Sequence, residues 1–363
     1  MSLWVVVGGQ YGSEGKGKIS AFITLREDID ICIRCGGPNS GHSFVAEDGR
    51  TMLVRQLPTG FVNPRTMLMI PAGALIDLDV LRHEIESLGL DERRVRIDRN
   101  AMVIEPSDRE REAQLGLRER LSSTLCGVGS AVARRALRGS DVRLASHAAK
   151  ASPWLTAFLD DVSLKANQAV DEGRKVLVEG TQGFGLSLYH TAEYPKATSR
   201  DTTAAGCLSE VGLSPRLATQ IVLVLRTFPI RVAGEQAGSL KEEIDWETLQ
   251  AESGYPHPIH EITSVTRKTR RVARFDWDLA KRAVSVNRPT HIAVNGLDYF
   301  DYEDLGKRDV ANLSEQSLRF VSRLSEFKAS DYFLGVGPTL TNVIEATSAL
   351  LPFRQVTACP ALV

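Results

Sequence analysis

Between Gly8 and Lys18 the chain reads GGQYGSEGKGK, with five glycines (Gly8, Gly9, Gly12, Gly15, Gly17) and two lysines (Lys16, Lys18). A glycine-rich turn that leaves an apolar strand and opens a helix points backbone N–H groups outward. The positive end of the helix and a nearby lysine then favour an anion, so the chemistry is phosphate capture. The lettering is not G-x-x-x-x-G-K-[ST]: one residue too many separates Gly9 from Gly15, and Gly17 stands where a Mg²⁺-binding hydroxyl would be. Further along, Gly36-Gly37-Pro38-Asn39-Ser40-Gly41-His42 places an amide and an imidazole in a second glycine loop. Ser122 to Gly129 is a third, built of hydroxyls and glycines. Gln182, in Glu179-Gly180-Thr181-Gln182-Gly183, can hold a purine edge or a phosphate without titrating, and Thr198 can bond a phosphate oxygen. From His260 to Arg271, cations alternate with hydroxyls, which suits carboxylate or phosphate capture, bidentate where arginine supplies it.

These loops need elements to hold them. Trp4 to Val7 is a buried-strand signal, and Ile19 to Leu25 continues as a helix. Strands are predicted at Ile29–Arg34, Thr51–Val54, Thr66–Ile70, Val95–Ile104, Lys175–Val178, Gln220–Leu225 (extended by Arg226–Val232), His291–Val294 and Asp331–Val336. Helices are predicted at Leu78–Leu88, Asp108–Arg120, Val162–Glu172, Phe275–Ser285 and Leu318–Phe327, with a closing helix starting at Asn342–Ala346. Short apolar strands alternating with helices predict an α/β fold: a large, mostly parallel central sheet with helices on both faces and ligand loops at the strand ends. One catalytic domain over 1–363 is expected, with small elaborations at about 75–170 and 235–275.

With 44 basic against 45 acidic residues there is no basic field for nucleic acid. No apolar run approaches a membrane span and no leader pattern opens the chain, so a cytoplasmic protein is expected. Cys32 and Cys35 form a C-x-x-C without a second pair or a histidine cluster, and are read as strand and turn packing rather than a zinc site.

The opening GGQYGSEGKGK resembles the adenylosuccinate synthetase signature G-x-Q-[WY]-G-D-E-G-K-G-K, with Ser13 in the place of the aspartate. Matches follow in order. The Gly36–His42 loop resembles GG-x-N-A-G-H, and Glu179–Gly183 resembles E-G-A-Q-G. Tyr194–Thr203 resembles Y-P-x-V-T-S-S-N-T-T, Arg231–Gly234 resembles R-V-x-G, and Gly337-Pro338 resembles the S-x-G-P turn. Thr124 and Val132-Ala133-Arg134-Arg135 partly match the T-T-x-R-G-I-G-P region, with Leu125 and Cys126 departing.

The resemblance implies a P-loop-like synthetase fold and a ligase coupling a purine monophosphate to L-aspartate at the expense of a nucleoside triphosphate. It implies that Ser13, Glu14, Gly15, Lys16, Gly17, Gly41, His42, Ser43, Asp298, Gly337 and Pro338 bind the triphosphate. Ser13, Asn39, Ser123, Thr124, Arg134, Gln182 and Thr198 then bind the monophosphate nucleotide, Arg134 reaching across a homodimer. Val265, Thr266, Arg267 and Arg270 hold aspartate, and Mg²⁺ sits at Ser13 and the Gly41 carbonyl. Ser13, His42 and Lys16 carry the chemistry, with the His42 pKa near the working range. A serine cannot take the purine N1 proton as a carboxylate does, but it leaves room for, and accepts from, a 2-amino group. That pattern, with Gly296 where the family has a base-stacking lysine, resembles the phage-type 2-aminoadenylosuccinate synthetase branch, acting on dGMP with ATP or dATP. An ordinary synthetase using IMP and GTP, or a silent nucleotide sensor, are the alternatives.

Overall fold

The structure, a computed structural model, describes residues 2–263 and 268–351. Its centre is a ten-stranded sheet. In spatial order the strands are Val343–Thr347, Asp331–Gly335, His291–Asn295, Gln220–Arg226, Ser2–Gly8, Lys175–Glu179, Ile31–Arg34, Met67–Ile70, Val95–Asp98 and Leu159–Asp160. Every neighbouring pair is parallel except Asp331–Gly335 with Val343–Thr347, where Tyr332 lies opposite Ala346. The large, mostly parallel sheet expected from the sequence is therefore observed, with Val343–Thr347 and Leu159–Asp160 added at its two edges.

Successive residues of a strand face opposite sides. Leu3, Val5 and Val7 join a core under the helices Val162–Asp171, Ala204–Val211, Trp277–Asn287 and Glu315–Leu324. Trp4 and Val6 join the other core, under Lys16–Glu27 and Leu78–Ser87 through Ile19, Ile23, Leu81 and Ile85. A strand covered on both faces needs an unbroken apolar run, which is why Trp4–Val7 carries no alternation. Each fully buried Val, Ile or Leu contributes roughly 1.5–3 kcal/mol, so these layers fix where the strand ends stand.

Four expectations are corrected. The Val95–Ile104 strand stops at Asp98, where Asp98 caps a turn (its Oδ1 accepts from Asn100 N at 2.8 Å), and resumes as Met102–Val103 in a separate pair with Leu75–Ile76. The Asp108–Arg120 helix is two, Pro106–Gln114 and Leu117–Leu121, parted at Gly116 with φ 62°. Gln220–Arg226 is not extended to Val232. Past Pro229, which has no N–H to give a ladder, Ile230–Arg231 pairs instead with Arg271–Ala273, which also takes Glu243–Ile244. Finally, Val343–Thr347 is an edge strand, not a helix, burying Ile344 and Ala346 on alternate positions. Thr51–Val54 is a strand, but in a hairpin with His42–Val45 outside the main sheet.

Candidate active site

The loops at the carboxyl ends of the parallel strands converge, as open α/β sheets dictate. After Gly8 the chain turns through Gly12 (φ 84°), Ser13 (φ 57°) and Gly15 (φ 89°) before the first helix begins at Lys16. The Glu14 carboxylate is folded beneath this turn, accepting from Gln10 N (3.1 Å), Gly12 N (2.8 Å) and Lys16 Nζ (2.6 Å), with both side chains of the ion pair buried. From outside, Asn295 Nδ2 donates to the Glu14 carbonyl (2.8 Å) and Arg226 Nη1 to the Ser13 carbonyl (3.1 Å). Ser13 holds a left-handed conformation that costs a non-glycine residue free energy, while its side chain stays exposed. Gly17 is bare because His42 crosses it: a Cβ there would lie 2.8 Å from the His42 Cβ.

His42 is buried, and its Nδ1 bonds the carboxylate of Glu179 at the end of strand Lys175–Glu179. Glu179 also accepts from Thr59 N (2.9 Å), Thr59 Oγ1 (2.7 Å) and Arg34 Nη1 (3.2 Å). Burial, then the neighbouring Arg34, pull His42 down to about 4, against the pull of Glu179. The sequence expectation of a pKa in the working range is thus corrected: the ring is neutral at pH 7. Burial pushes Glu179 up, but His42, Arg34 and Thr59 outweigh it, and the carboxylate stays ionised. Nδ1–H is therefore donated to Glu179, leaving Nε2 a bare lone pair with no partner among the described residues.

Two clefts meet over this machinery. One, about 390 Å³, is lined by Ser13, Asn39, Gly41, Ser123, Thr124, Gln182, Thr198 and Arg270, among others. The other, about 350 Å³, is lined by Ser13, Glu14, Gly15, Lys16, Gly17, Gly41, His42, Ser43, Arg270, Asp298, Gly337 and Pro338, among others. Ser13, Ser40, Gly41 and Arg270 belong to both. In the first cleft Gln182 is also left-handed (φ 63°), and its Nε2 donates to Thr198 Oγ1 at 2.7 Å. The loop bearing Ser123 and Thr124 is fastened by buried Glu112, which accepts from Gly127 N and Gly129 N, each at 2.8 Å. In the second, Lys18 Nζ donates to the carbonyls of Gly337 (2.6 Å) and Asn342 (3.0 Å), tying the first helix to the Gly337-Pro338 turn. Burial lowers Lys18 to about 8, with Asp298 opposing.

Two sets of predicted residues are not gathered here. Arg134 does not line either cleft; it donates to Asp108 (2.6 Å) and to the Asp141 carbonyl (2.5 Å) in its own chain. Val265, Thr266 and Arg267 lie outside the described residues. Conversely, sequence reasoning passed over Glu179, Arg226, Glu261, Tyr255 and Glu112. Glu179 stood inside a motif at a strand end, which was signal enough; Tyr255 and Glu112 had none. Cys32, Cys35 and Cys207 are buried and free, as expected of packing residues.

No three His, Cys, Asp or Glu side chains gather to hold a metal among the described residues. At the shared edge of the clefts the available ligands are neutral hard oxygens, the Gly41 carbonyl and the exposed Ser13 hydroxyl, while Glu14 is already engaged. Such a set fits a Mg²⁺ that arrives on phosphate oxygens and keeps its own waters, not one caged by protein.

A family model described as adenylosuccinate synthetase matches residues 5–152 and 140–307. The adenylosuccinate synthetases of Thermococcus sibiricus and Thermococcus onnurineus are 37% and 38% identical, over 95% and 96% of this chain and 98% and 100% of theirs. Among solved structures, the succinoaminodeoxyadenylate synthetase of cyanophage S-2L, bound to dGMP and to dATP as an energy donor, has a TM-score of 0.80. It is 29% identical over 96% of this chain and 97% of that one. The fully ligated adenylosuccinate synthetase of Plasmodium falciparum has a TM-score of 0.82 at 20% identity, over 96% and 100% of the two chains, and so shares the fold. Paired clefts over a glycine loop, held by the same motifs in the same order and matched across nearly the whole length, establish that the chain belongs to the adenylosuccinate synthetase family.

Proposed function

We propose that this nucleoside-triphosphate-driven carbon–nitrogen ligase joins L-aspartate to C6 of dGMP, using ATP or dATP, through a 6-phosphoryl intermediate. The observation that carries the reading is Ser13: an exposed neutral hydroxyl on the edge shared by both clefts, where the family lettering has a carboxylate. A carboxylate against N1 crowds C2, which bears only hydrogen in hypoxanthine; a serine leaves space there and accepts from the 2-amino group of guanine.

In this reading the monophosphate lies against Asn39, Ser123, Thr124 and Thr198, and Gln182 meets the purine edge. Arg134 completes the phosphate site of a neighbouring copy in a homodimer, exchanging Asp108 for that phosphate. The triphosphate lies along Glu14–Gly17 with Lys16, His42 and Ser43 at its phosphates and Asp298, Gly337 and Pro338 at its base. Aspartate is held by Val265, Thr266, Arg267 and Arg270, and the Gly41 carbonyl and Ser13 would hold Mg²⁺, which would supply neutralisation of phosphoryl charge. The purine O6 attacks the γ-phosphorus, and the bond to the bridging oxygen breaks to release the diphosphate. The aspartate amine then forms the bond to C6 as phosphate leaves. The N1 proton passes through Ser13 to water or to a phosphate oxygen. Neutral His42 takes up a proton as the polyphosphate adds negative charge beside it, and Nε2–H then donates to the phosphoryl group while Glu179 keeps the ring oriented.

A second reading, an ordinary synthetase acting on IMP, is favoured by the names of the archaeal relatives at 37–38% identity. Phosphate release with Mg²⁺ and L-aspartate, run in parallel with dGMP and IMP against ATP and GTP, separates the two. Release with dGMP alone is the expected result; release with IMP alone makes Ser13 a tolerated variant and overturns the dGMP assignment.

A further inference from the structure

Arg226 ends the strand Gln220–Arg226 between two pieces of the site that lie far apart in the chain. The side-chain amide of Gln10, at the start of the glycine loop, pairs with both backbone groups of Arg226. Gln10 Nε2 donates to the Arg226 carbonyl (3.1 Å), and Arg226 N donates to Gln10 Oε1 (3.0 Å). The buried guanidinium then reaches two acceptors. Nη1 donates to the Ser13 carbonyl (3.1 Å) and to Glu261 Oε2 (3.1 Å), and Nη2 donates to Glu261 Oε1. Its Cζ lies 5.9 Å from the centroid of the Tyr299 ring, whose hydroxyl stands 3.5 Å from Glu261 Oε1, so the fork is packed as well as paired. Burial alone would lower the Arg226 pKa and raise that of Glu261; each overcomes it for the other, and both stay charged.

The two acceptors belong to different halves of the edge that the clefts share. Ser13 is left-handed (φ 57°), a conformation a non-glycine residue keeps only where its surroundings impose it. Glu14 braces the turn on the amino-terminal side of Ser13, and Asn295 holds the carbonyl that follows. The planar Ser13–Glu14 peptide between them takes its orientation from Arg226. Glu261 opens an antiparallel ladder: its carbonyl accepts from Arg270 N (2.8 Å), Ile262 bridges Thr269, and Thr263 N donates to the Lys268 carbonyl (2.9 Å). Arg270, the last residue of that ladder, lines both clefts, as Ser13 does. One guanidinium thus touches both halves.

Resting on the reading of that edge as the place where purine, phosphoryl group and aspartate meet, we infer that Arg226 is a positioning residue for the ligase reaction. Its guanidinium orients the Ser13 peptide and, through the carboxylate of Glu261, holds the ladder that carries Arg270 in fixed relation to it. A counter-ion alone would need only the Glu261 contact. The second contact, to the main-chain carbonyl of a left-handed residue, is what positioning requires.

The test compares Arg226→Met, Glu261→Met and the double variant with both changes. Each single change leaves one charge without its partner and should lower Tm. The double variant leaves none, and its Tm should return toward the wild-type value. Were Arg226 only the counter-ion of Glu261, activity would return with Tm. A positioning residue predicts a split: kcat/KM for aspartate stays roughly tenfold or more below wild type, the order of one lost hydrogen bond to a charged group. Turnover is followed with whichever monophosphate and triphosphate the wild-type enzyme uses, so a failed dGMP assignment leaves the comparison intact. Amide hydrogen exchange on the ligand-free proteins reads the geometry itself: the Ser13 loop should exchange faster in the double variant than in the wild type. A double variant with wild-type kcat/KM, or with a Ser13 loop exchanging at the wild-type rate, overturns the inference. If its Tm does not recover, Glu261→Gln, which keeps the shape and an acceptor but removes the charge, is read by the same two measures and the same criteria. If no monophosphate gives turnover, the proposed reaction fails, and the exchange comparison alone decides the role of Arg226.

Discussion

Glu179→Gln isolates the charge that underlies the His42 chemistry. The carboxylate is fully buried and accepts from His42, Arg34 and both donors of Thr59. Glutamine keeps the shape and one acceptor oxygen, but leaves the Arg34 guanidinium, 2% exposed, without its counter-charge. Removing one partner of a buried pair costs about 3–5 kcal/mol, and the retained amide oxygen puts this case near about 3 kcal/mol. For a chain of this size that is a fall of roughly 5 °C in Tm. The effect on catalysis is separate. Without the carboxylate, protonating His42 beside Arg34 becomes harder, so the donor needed at the phosphoryl group is scarcer at pH 7. Losing a general acid or base lowers turnover by about 10²–10⁴, and kcat should fall by at least about 10². Because less protonated imidazole is present at any given pH, the variant's rate should rise more steeply than the wild type's as pH falls from about 8 to about 6. Phosphate release across that range, with thermal melting of both proteins, makes the comparison. A variant with lowered Tm, wild-type kcat and an unshifted pH profile would refute the argument, and would reduce Glu179 to the counter-ion of Arg34.

Ser13→Asp should move the substrate preference from dGMP toward IMP, with the ratio of kcat/KM values shifting by roughly tenfold to two-hundredfold, the range a single pocket contact commands; an unchanged ratio removes Ser13 from purine selection. Gly17→Ala sets a Cβ 2.8 Å from the His42 Cβ and 3.1 Å from the Ser43 nitrogen, so it should destabilise by about 1–3 kcal/mol in urea melts and misplace His42, lowering kcat. Acid should unfold the protein early. His42 is held at about 4 in the folded chain against an ordinary 6.5, so its contribution is fully present above about pH 6.5. It is lost, on the order of 3 kcal/mol, as pH falls toward about 4. Glu179, held below its ordinary range, acts in the same direction lower down. Urea midpoints measured across this window should fall with pH for the wild type, and a flat profile would contradict the buried neutral histidine.

What the sequence disclosed is what is local. Glycines that take left-handed turns, an apolar strand covered on both faces and the loop lettering after each strand are written within ten or so residues. They located Ser13–Gly17, Asn39, Gly41–Ser43, Ser123, Thr124, Gln182 and Thr198 along the two clefts, but not Glu112, Arg226, Tyr255 or Glu261. What it hid depends on distant pairings. Val343–Thr347 is five residues long and buries only Ile344 and Ala346; too short for a period, it became a strand because Asp331–Gly335 offered an edge. Tyr255 gave no signal because its meaning lies in Asp298, 43 residues away. Arg134 matches a phosphate ligand by its motif, and within one chain its guanidinium is paired with Asp108 of the helix Pro106–Gln114, a pairing that no local pattern announces. His42 was given an ordinary pKa because the desolvation that shifts it comes from strands and loops far along the chain.

The electrostatics of the glycine loop explain how it can wait for a polyphosphate without collapsing or gaping. Glu14 sits under the turn as a built-in anion, satisfying two backbone N–H groups and Lys16, so the left-handed conformations of Gly12, Ser13 and Gly15 are braced from within the loop. That carboxylate does not block the site, because it lies on the inner side while Ser13 is exposed on the outer one. An ammonium has three donors, and Glu14 takes one from Lys16, so on the proposed reading two would be left for phosphoryl oxygens without breaking the buried pair. Lys18, spent on the carbonyls of Gly337 and Asn342, adds charge while it positions the Gly337-Pro338 turn. The site is therefore short of one donor, at Nε2 of His42, whose bare lone pair would repel a phosphoryl oxygen. In the proposed reaction, proton uptake at that nitrogen, with Glu179 accepting from the other side of the ring, would supply the donor without moving the backbone. On the proposed reading, the binding of negative charge would thus be coupled to the arrival of the one proton that phosphoryl transfer needs.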